Sequence, residues 1–266
     1  MTLGYRADAR PFSYTDESGM PAGYSIALCQ KIADEVKRDL NLPALKVDWK
    51  PVAPEQRFRV LKLGEVDVLC GADTVTLERR GEADFSIPIF PGGVGALVRA
   101  DAPARLREVL SGQGRHFDPV WRANATQLLR ARDFTVVSGT TAETWLGKRL
   151  NDLEVIAGIA PVNGYEEGVQ RVLNRRSDVF FGDRAILLDA ASRHASARDL
   201  VVLDRLFTYE PMALALSPGD DQFRLLVDRA LSRVYRSGEI AKLYAKSFGE
   251  PDESALTFFR WNTLPE

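Results

Sequence analysis

The chain has 266 residues, of which 45% are hydrophobic and 27% are charged, and its formal net charge is -2 from 35 basic and 37 acidic residues. This composition is that of a globular protein with a substantial core, and the near balance of charge argues against a general nucleic-acid binder, which carries a basic excess. No run approaches the roughly 18 consecutive apolar residues of a membrane span. The opening residues, MTLGYRADARPF, contain no apolar signal-peptide segment, so we expect either a cytoplasmic protein or one whose leader has been removed.

The first 98 residues alternate between strand and helix patterns. In chain order the predicted elements are a strand at 3–6, a turn at 16–19, a helix from 23 to about 40, a strand at 45–49, a short helix at 55–63, and strands at 66–70 and 94–98. The first helix carries one apolar stripe with a repeat of four residues: Leu28, Ile32, Val36 and Leu40. This order is typical of an open, mostly parallel sheet covered by helices, in which ligands bind beyond the carboxyl ends of the strands.

The segment CGADTVTLERRGEADFSIPIF, residues 70–90, begins where the third strand of this run ends. Thr76 is a good helix N-cap, and Arg79 would then lie in the first helical turn. Free backbone amides and a guanidinium would together suit a carboxylate or a phosphate. The alternative is an ordinary strand–turn–helix connection with solvated arginines, and the residues alone favour that alternative.

A second α/β run follows a long segment, 101–133, that shows no clear sheet pattern and that we interpret as an insertion or a domain boundary. Short helices are predicted within it at 104–110 and 125–131. The predicted elements beyond it are strands at 134–137, 154–159, 179–183, 200–203 and 212–216, and helices at 141–150, 165–173, 184–195, 222–235 and 239–248. Ser138-Gly139-Thr140-Thr141 is a second strand-to-helix turn suited to an anion, with Thr140 and Glu143 at capping-box spacing. Asp183, at a strand end, is either a functional carboxylate or the N-cap of the next helix.

Taken in order, these motifs resemble the bacterial extracellular solute-binding proteins of family 3, the periplasmic amino-acid receptors of ABC importers. The resemblance rests on PFSY, GYSIALCQKIA, LKLGEVDVLCGADTVTLERRGEADFSIPIF, VVSGTTAETWL and FRLLVDRALSRVYRSGEIAKLYAKSFG, and it covers the chain except about 101–133. It implies an α/β fold of the type II periplasmic-binding-protein class, with two lobes joined by two hinge strands. Lobe 1 would comprise 1–98 plus 209–266, and lobe 2 would comprise 99–208.

The resemblance also implies roles for individual residues. Arg79 would bind the α-carboxylate of an amino acid, and Asp183 would bind its α-ammonium group. The residues that would assist them with amide, hydroxyl or carbonyl groups are Ala72, Thr74, Thr140 and Thr141. A zwitterion needs one planar cationic group and one carboxylate, so the implied roles agree with the chemistry of the two turns.

Within the family the sequence is most similar to the glutamate/aspartate-binding branch. Arg6 and Arg57 stand where that branch holds the side-chain carboxylate, although both are also compatible with surface arginines. Asn163 would contact the ligand side chain. The chain departs from the pattern of this branch at Pro54 and Ala72, which replace small hydroxyl residues, and at Asp73, which adds a negative charge beside the site. It departs from the family as a whole at Ala27, where an aspartate is usual. These departures affect the prediction that the ligand is acidic more than the prediction that it is an amino acid.

Cysteine and histidine are rare. Cys29 and Cys70 lie on the first helix and at the end of the strand on which it should pack, whereas His116 and His194 are far apart. We expect no metal site, no cofactor and no histidine-based catalysis. The cysteines are either two small buried residues or, in an oxidising periplasm, a disulfide bond, provided that their Cα atoms lie within about 7 Å.

The function implied is that of a monomeric, non-catalytic receptor that closes on a free L-amino acid and delivers it to the permease of an ABC importer. A periplasmic enzyme of the same fold, a cyclohexadienyl or arogenate dehydratase, is the first alternative; Glu166 and Glu167 would be its candidate general acids, although a solvated helical turn explains them more simply. A ligand-sensing domain of a larger receptor is the second. A channel is disfavoured because 101–133 is polar and rich in arginine.

Overall fold

The computed structural model describes residues 1–112, 126–130 and 132–265. The chain divides into two compact units, one of Met1–Gly92 and Glu210–Glu266, the other of Gly93–Tyr209. The chain therefore passes from unit 1 to unit 2 at 92/93 and returns at 209/210, where the sequence predicted 98/99 and 208/209. Among the described residues, no helix has the length and apolar character needed to cross a membrane.

The secondary structure is mixed. The strands are β1 (Thr2–Tyr5), β2 (Asp8–Ala9), β3 (Ser13–Thr15), β4 (Pro21–Ala22), β5 (Asp48–Pro51), β6 (Val68–Thr74), β7 (Asp84–Phe85), β8 (Phe90–Gly92), β9 (Val94–Arg99), β10 (Asp133–Val137), β11 (Gly158–Val162), β12 (Val179–Asp183), β13 (Leu200–Val202) and β14 (Glu210–Leu216). The helices are α1 (Tyr24–Asp39), α2 (Arg57–Lys62), α3 (Ala104–Ser111), α4 (Thr141–Asp152), α5 (Tyr165–Leu173), α6 (Arg184–Arg193), α7 (Asp221–Arg236), α8 (Glu239–Phe248) and α9 (Glu253–Asn262). Of the predicted helix at 125–131, residues 126–129 are helical, and its two end residues lie outside the described part of the chain. The predicted α/β class with open, mixed sheets is confirmed.

Unit 1 is built on a sheet of order β5-β1-β6-β14-β7, with β8 paired to β14. Strand β1 is parallel to β5 and to β6, whereas β14 is antiparallel to β6. Parallel strands end at the same edge of a sheet. The loops that follow Tyr5, Pro51 and Thr74 therefore lie at one edge, and β14 begins there at Glu210, which pairs with Gly92 at the end of β8.

Helix α1 packs on this sheet through the stripe that the sequence predicted. Leu28, Ile32 and Val36 are buried, whereas Leu40 lies just beyond the helix end and is exposed. A disulfide bond joins Cys29 of α1 to Cys70 of β6, with the Cα atoms 6.1 Å apart. Both cysteines are fully buried. The bond therefore fixes the helix against the strand that leads into the residues 72–79.

An aromatic cluster holds the C-terminal helices of unit 1. Its members are Phe12, Tyr24, Phe90, Tyr244 and Phe248, whose ring centroids lie 4.7 to 6.5 Å apart. Most of these pairs are tilted or edge-on and one, Phe90 with Tyr244, is stacked, and such contacts add to the stabilisation from buried area. The Tyr24 hydroxyl donates to the carbonyl of Ile89 at 2.8 Å, which anchors the chain next to β8. Helix α9, which the sequence pattern did not reveal, joins the cluster through Phe259, 6.0 Å from Tyr244.

Unit 2 has a sheet of order β11-β10-β12-β9-β13. Strands β11 and β12 are parallel to β10, whereas β9 is antiparallel to β12. The ends of β10, β11 and β12, at Val137, Val162 and Asp183, therefore share one edge, and β9 begins there because Val94 pairs with Asp183. In this unit, as in unit 1, a strand next to a connection to the other unit begins at the carboxyl edge of the sheet.

The predicted strand at 154–159 is wrong in position. Helix α4 ends before Glu154, which has a φ of 52°, and the strand begins only at Gly158. A positive φ at a residue other than glycine marks a turn, so the chain cannot enter a strand there. Residues 158–162 instead pair in register with 133–137 of β10.

Candidate functional site

The first candidate region follows β6. The Thr76 hydroxyl accepts a hydrogen bond from the amide of Arg79 at 3.1 Å, as its predicted capping role requires. The helix predicted after Thr76 is wrong, because only one 3₁₀ turn forms, at Arg79–Gly81. After this turn the chain forms β7, whose Phe85 pairs with Ala215 of β14. No α-helix N-terminus is available here, so any anion would depend on the guanidinium itself.

Arg79 is half-buried at the carboxyl edge of the unit 1 sheet. One Nη donates to the carbonyl of Thr74 at 3.0 Å, and the guanidinium carbon lies 5.8 Å from the centre of the Phe58 ring. Burial lowers the pKa of Arg79, the positive charge of Arg57 lowers it further, and the negative charge of Asp73 partly offsets both. It remains a cation at neutral pH. Within the described residues Arg79 forms no ion pair with a carboxylate.

Arg57 is in a different state. It begins α2 and is only 8% exposed, and its Nε lies 3.2 Å from Oδ1 of Asp73, which is 6% exposed. One Nη donates to the carbonyl of Pro54 at 2.7 Å, and the guanidinium carbon lies 4.8 Å from the centre of the Phe58 ring. The Phe58 ring thus lies near the guanidinium carbons of both Arg57 and Arg79. The positive charge of Arg57 is compensated within unit 1.

Arg6 follows β1 at the same edge. Its Nε and one Nη donate to Oδ1 of Asp8, at 2.9 and 2.7 Å. The Ser13 hydroxyl donates to the backbone carbonyl of Arg6 and accepts from its amide. A Cβ on Gly71 would lie 2.9 Å from Oδ2 of Asp73 and 3.5 Å from Cγ of Arg6. The absence of a side chain at Gly71 therefore lets both residues approach β6.

The strand around Ala72 is irregular. Asp73 pairs with Ala213 and Leu69 pairs with Ala215, so three residues of β6 lie between these pairs where β14 has one. The carbonyl of Gly71, inside this bulge, accepts from the Ser25 hydroxyl at 2.7 Å. Bulges re-aim the backbone next to binding sites. Ser25 was missed by sequence reasoning, since a serine in the first turn of a helix gives no signal of a contact 46 residues away.

Asp183 organises the equivalent edge of unit 2. Its Oδ1 accepts from the amides of Ala185 and Ile186, at 3.0 and 3.2 Å, so it caps α6. Its own amide donates to the Tyr165 hydroxyl at 3.3 Å. A Cβ on Gly182 would lie 3.0 Å from the Tyr165 ring, so the glycine allows this approach. The N-cap alternative for Asp183 is therefore present, and a ligand role for the same carboxylate stays a prediction.

The turn before α4 differs from the predicted capping box. The Thr140 hydroxyl donates to the carbonyl of Val137 at 2.7 Å and does not cap the helix. The Glu143 carboxylate accepts from the amide of Gly139 at 2.8 Å. Thr141 is the first residue of α4. A carboxylate of the protein thus already lies at this turn. The turn is therefore less suited to bind an external anion than the sequence suggested.

Asn163 lies in the loop after β11, at the same edge as Asp183 and Thr141, and is exposed. Its amide donates to the Glu167 carboxylate at 3.1 Å. Glu166 is highly exposed in the same first turn of α5. Both glutamates are exposed, which is not the environment typical of a general acid. Across the ranges that the structure describes, no group of three His, Cys, Asp or Glu is placed to hold a metal ion.

Residues 1–250 match the family model of the bacterial extracellular solute-binding proteins, family 3. The chain belongs to this family. This family-3 chain is 31% identical over 252 residues to the L-glutamate/L-aspartate-binding protein of Pseudomonas aeruginosa, an alignment that covers 94% of this chain and 77% of the relative. It is 28% identical over 251 residues, with the same coverage, to the glutamate/aspartate import solute-binding protein of Escherichia coli. The family resemblance read from the sequence is confirmed.

Solved structures agree with this assignment. An ancestral arginine-binding protein bound to arginine superposes with a TM-score of 0.75 at 25% identity, covering 94% of this chain and 98% of the other. An ancestral amino-acid-binding protein described as a precursor of cyclohexadienyl dehydratase also has a TM-score of 0.75 at 25% identity, covering 93% and 94% of the two chains.

Proposed function

We propose that this family-3 protein is a monomeric periplasmic receptor that binds a free L-amino acid and delivers it to the permease of an ABC importer. The observation that carries the proposal is Arg79, a half-buried guanidinium with no carboxylate partner among the described residues. Its fork of donors matches the α-carboxylate of an amino acid in two parallel hydrogen bonds. Thr74, whose carbonyl accepts from Arg79, supplies further polar groups beside it.

Asp183 is proposed to bind the α-ammonium group of the same ligand, with Thr141 and Ala72 contributing polar backbone groups. Its Oδ1 is held by two amides of α6, and its own amide is held by Tyr165. A carboxylate fixed in this way loses little side-chain entropy on binding. One cation and one carboxylate are what a zwitterion requires.

The disulfide bond supports the periplasm as the compartment. Disulfide bonds persist in oxidising compartments and are rare in the cytoplasm. The names of the relatives describe binding proteins, and we propose that this chain too has no catalytic activity. The exposed positions of Glu166 and Glu167 support that view, because a general acid needs a buried or otherwise perturbed environment.

A thermal-shift screen tests the proposal. The protein is heated with each of the twenty L-amino acids, with prephenate and with arogenate. A ligand that binds the folded state raises the melting temperature by mass action, so at least one amino acid should do so. Stabilisation by prephenate or arogenate alone would favour the dehydratase alternative. Stabilisation by none of the compounds would contradict the proposal.

A further inference from the structure

Three guanidinium groups converge on the carboxyl edge of the unit 1 sheet, those of Arg6, Arg57 and Arg79. They differ in what compensates their charge. Arg57 is paired with Asp73, and Arg6 is paired with Asp8. Arg79 forms no ion pair within the described residues. Of the three, Arg79 is therefore the one that can take a carboxylate ligand without giving up an ion pair.

The two ion pairs differ in how deeply they are buried. The side chains of Arg57 and Asp73 are only 10% and 8% exposed, whereas the side chain of Asp8 is 44% exposed. A solvated pair is screened and contributes little, but a buried charge that loses its partner is strongly destabilising. A ligand carboxylate that replaced Asp73 as the ion-pair partner of Arg57 would leave Asp73 buried without a counter-charge. The Arg57–Asp73 pair is thus expected to stay intact when a ligand binds.

Asp73 also affects a ligand that does not displace it. Its Oδ2 lies against the space above Gly71, next to Arg6. A second ligand carboxylate placed near Arg57 or Arg6 would approach this buried negative charge, and like charges repel more strongly away from water. A cationic side chain would instead lie beside three guanidinium groups, of which Arg6 and Arg57 are ion-paired and Arg79, among the described residues, is not. An uncharged side chain avoids repulsion by Asp73 and by the guanidinium groups. Arg57 can still donate hydrogen bonds to such a side chain, and Asp73 can accept one from it.

We propose that the ligand is an amino acid whose side chain is uncharged, and that Asp73 excludes acidic side chains by neutralising Arg57. This inference rests on the proposed function and adds the class of ligand. It separates this chain from relatives that are named as glutamate/aspartate-binding proteins.

Isothermal titration calorimetry with two nearly isosteric ligand pairs tests the inference: glutamine against glutamate, and asparagine against aspartate. The tightest-binding amino acid should be uncharged, and each acid should bind at least about tenfold more weakly than its amide. Asp73→Asn should narrow or reverse this preference by about tenfold or more, because it frees the charge of Arg57. Asp34→Asn is the matched control, since it removes one exposed carboxylate from the same unit, and the preference should change less than threefold.

Tighter binding of glutamate or aspartate than of their amides by the unaltered protein would overturn the inference and leave the proposed function standing. Tightest binding of lysine or arginine would also overturn it. An equal change of preference in both variants would mean that net charge, and not Asp73, sets the preference. Absence of binding by any amino acid would overturn the proposed function itself. If Asp73→Asn does not fold, Asp73→Thr removes the same charge with a residue suited to a strand, and the ranking for the unaltered protein still decides.

Discussion

Removing the disulfide bond should destabilise the protein by an amount that its position predicts. The change is the double substitution Cys29→Ala and Cys70→Ala, which cuts the link between α1 and β6 without placing a polar group in the core. The bond joins residues 41 apart in the sequence. The loop-entropy relation for such a separation gives about 4 kcal/mol at 25 °C, most of it from the restraint on the unfolded chain.

Because 1.4 kcal/mol corresponds to a tenfold change in an equilibrium constant, this loss amounts to a roughly 500- to 1,000-fold change in the folding equilibrium. Both cysteines are fully buried, so the lost sulfur atoms add a packing cost in the same direction. Guanidinium chloride unfolding, followed by circular dichroism and fitted by linear extrapolation, measures the difference.

The oxidised protein refolded with and without reductant provides the control. Reductant present only during refolding should reproduce most of the loss, whereas brief exposure of the folded protein should not, because the bond is buried. A double variant whose free energy of unfolding lies within about 1 kcal/mol of the unaltered protein would mean that the disulfide bond contributes little to stability.

Other predictions concern single residues. Asp183→Asn keeps an N-cap acceptor, so the temperature of thermal unfolding should change little. Calorimetry should show roughly 10- to 100-fold weaker amino-acid binding, the effect of one charge-assisted hydrogen bond. Equal affinity of the variant and the unaltered protein would argue against the ammonium role. Gly168→Ala places a Cβ 2.4 Å from the Phe180 ring and should lower the free energy of unfolding by about 1–3 kcal/mol. Gly147→Ala, which has open space around the new Cβ and a helical backbone, should raise it by about 0.5–1 kcal/mol. A change of the same sign in the free energy of unfolding of both variants would contradict this packing. Burial raises the pKa of Asp228 above its ordinary value of 3.8, so the folded state binds the proton more tightly than the unfolded state, and the contribution of Asp228 to stability is lost as pH rises above that value. Unfolding experiments at several acidic pH values should therefore show Asp228→Asn gaining on the unaltered protein as pH rises, and a constant difference would refute the assignment.

The sequence predicted the order of most elements because their periodicity and end signals are local. Helix α5 matches its predicted bounds, since its apolar positions are flanked by Gly164 and a polar C-terminus. The strand at 154–159 was misplaced because the apolar run does not reveal the positive φ of Glu154. Helix α9 was missed although Asp252 caps it by accepting from the amide of Ala255. An aspartate before a run of helix formers is a local capping signal, so this helix is predictable from sequence.

The site was partly predictable. Arg79 follows a polar turn at a strand end, which is a local pattern, and the family resemblance gave it a role. The pairing of Arg57 with Asp73 depends on how α2 packs beside β6, which no pattern within either element encodes. The same holds for Phe58, whose ring lies near both guanidinium groups. Electrostatic compensation is a property of the folded unit, and it decides which arginine is available to a ligand.

Arg79 is proposed to bind the carboxylate of an amino acid. Calorimetry on Arg79→Ala tests this role, with Arg80→Ala, an exposed neighbour, as a control for the loss of one positive charge. Two charge-assisted hydrogen bonds are lost in the first variant, so its affinity should fall by at least about 100-fold while its melting temperature stays within a few degrees. The affinity of the second variant should change little. Undiminished binding by Arg79→Ala, or an equal loss in both variants, would mean that Arg79 does not bind the ligand carboxylate.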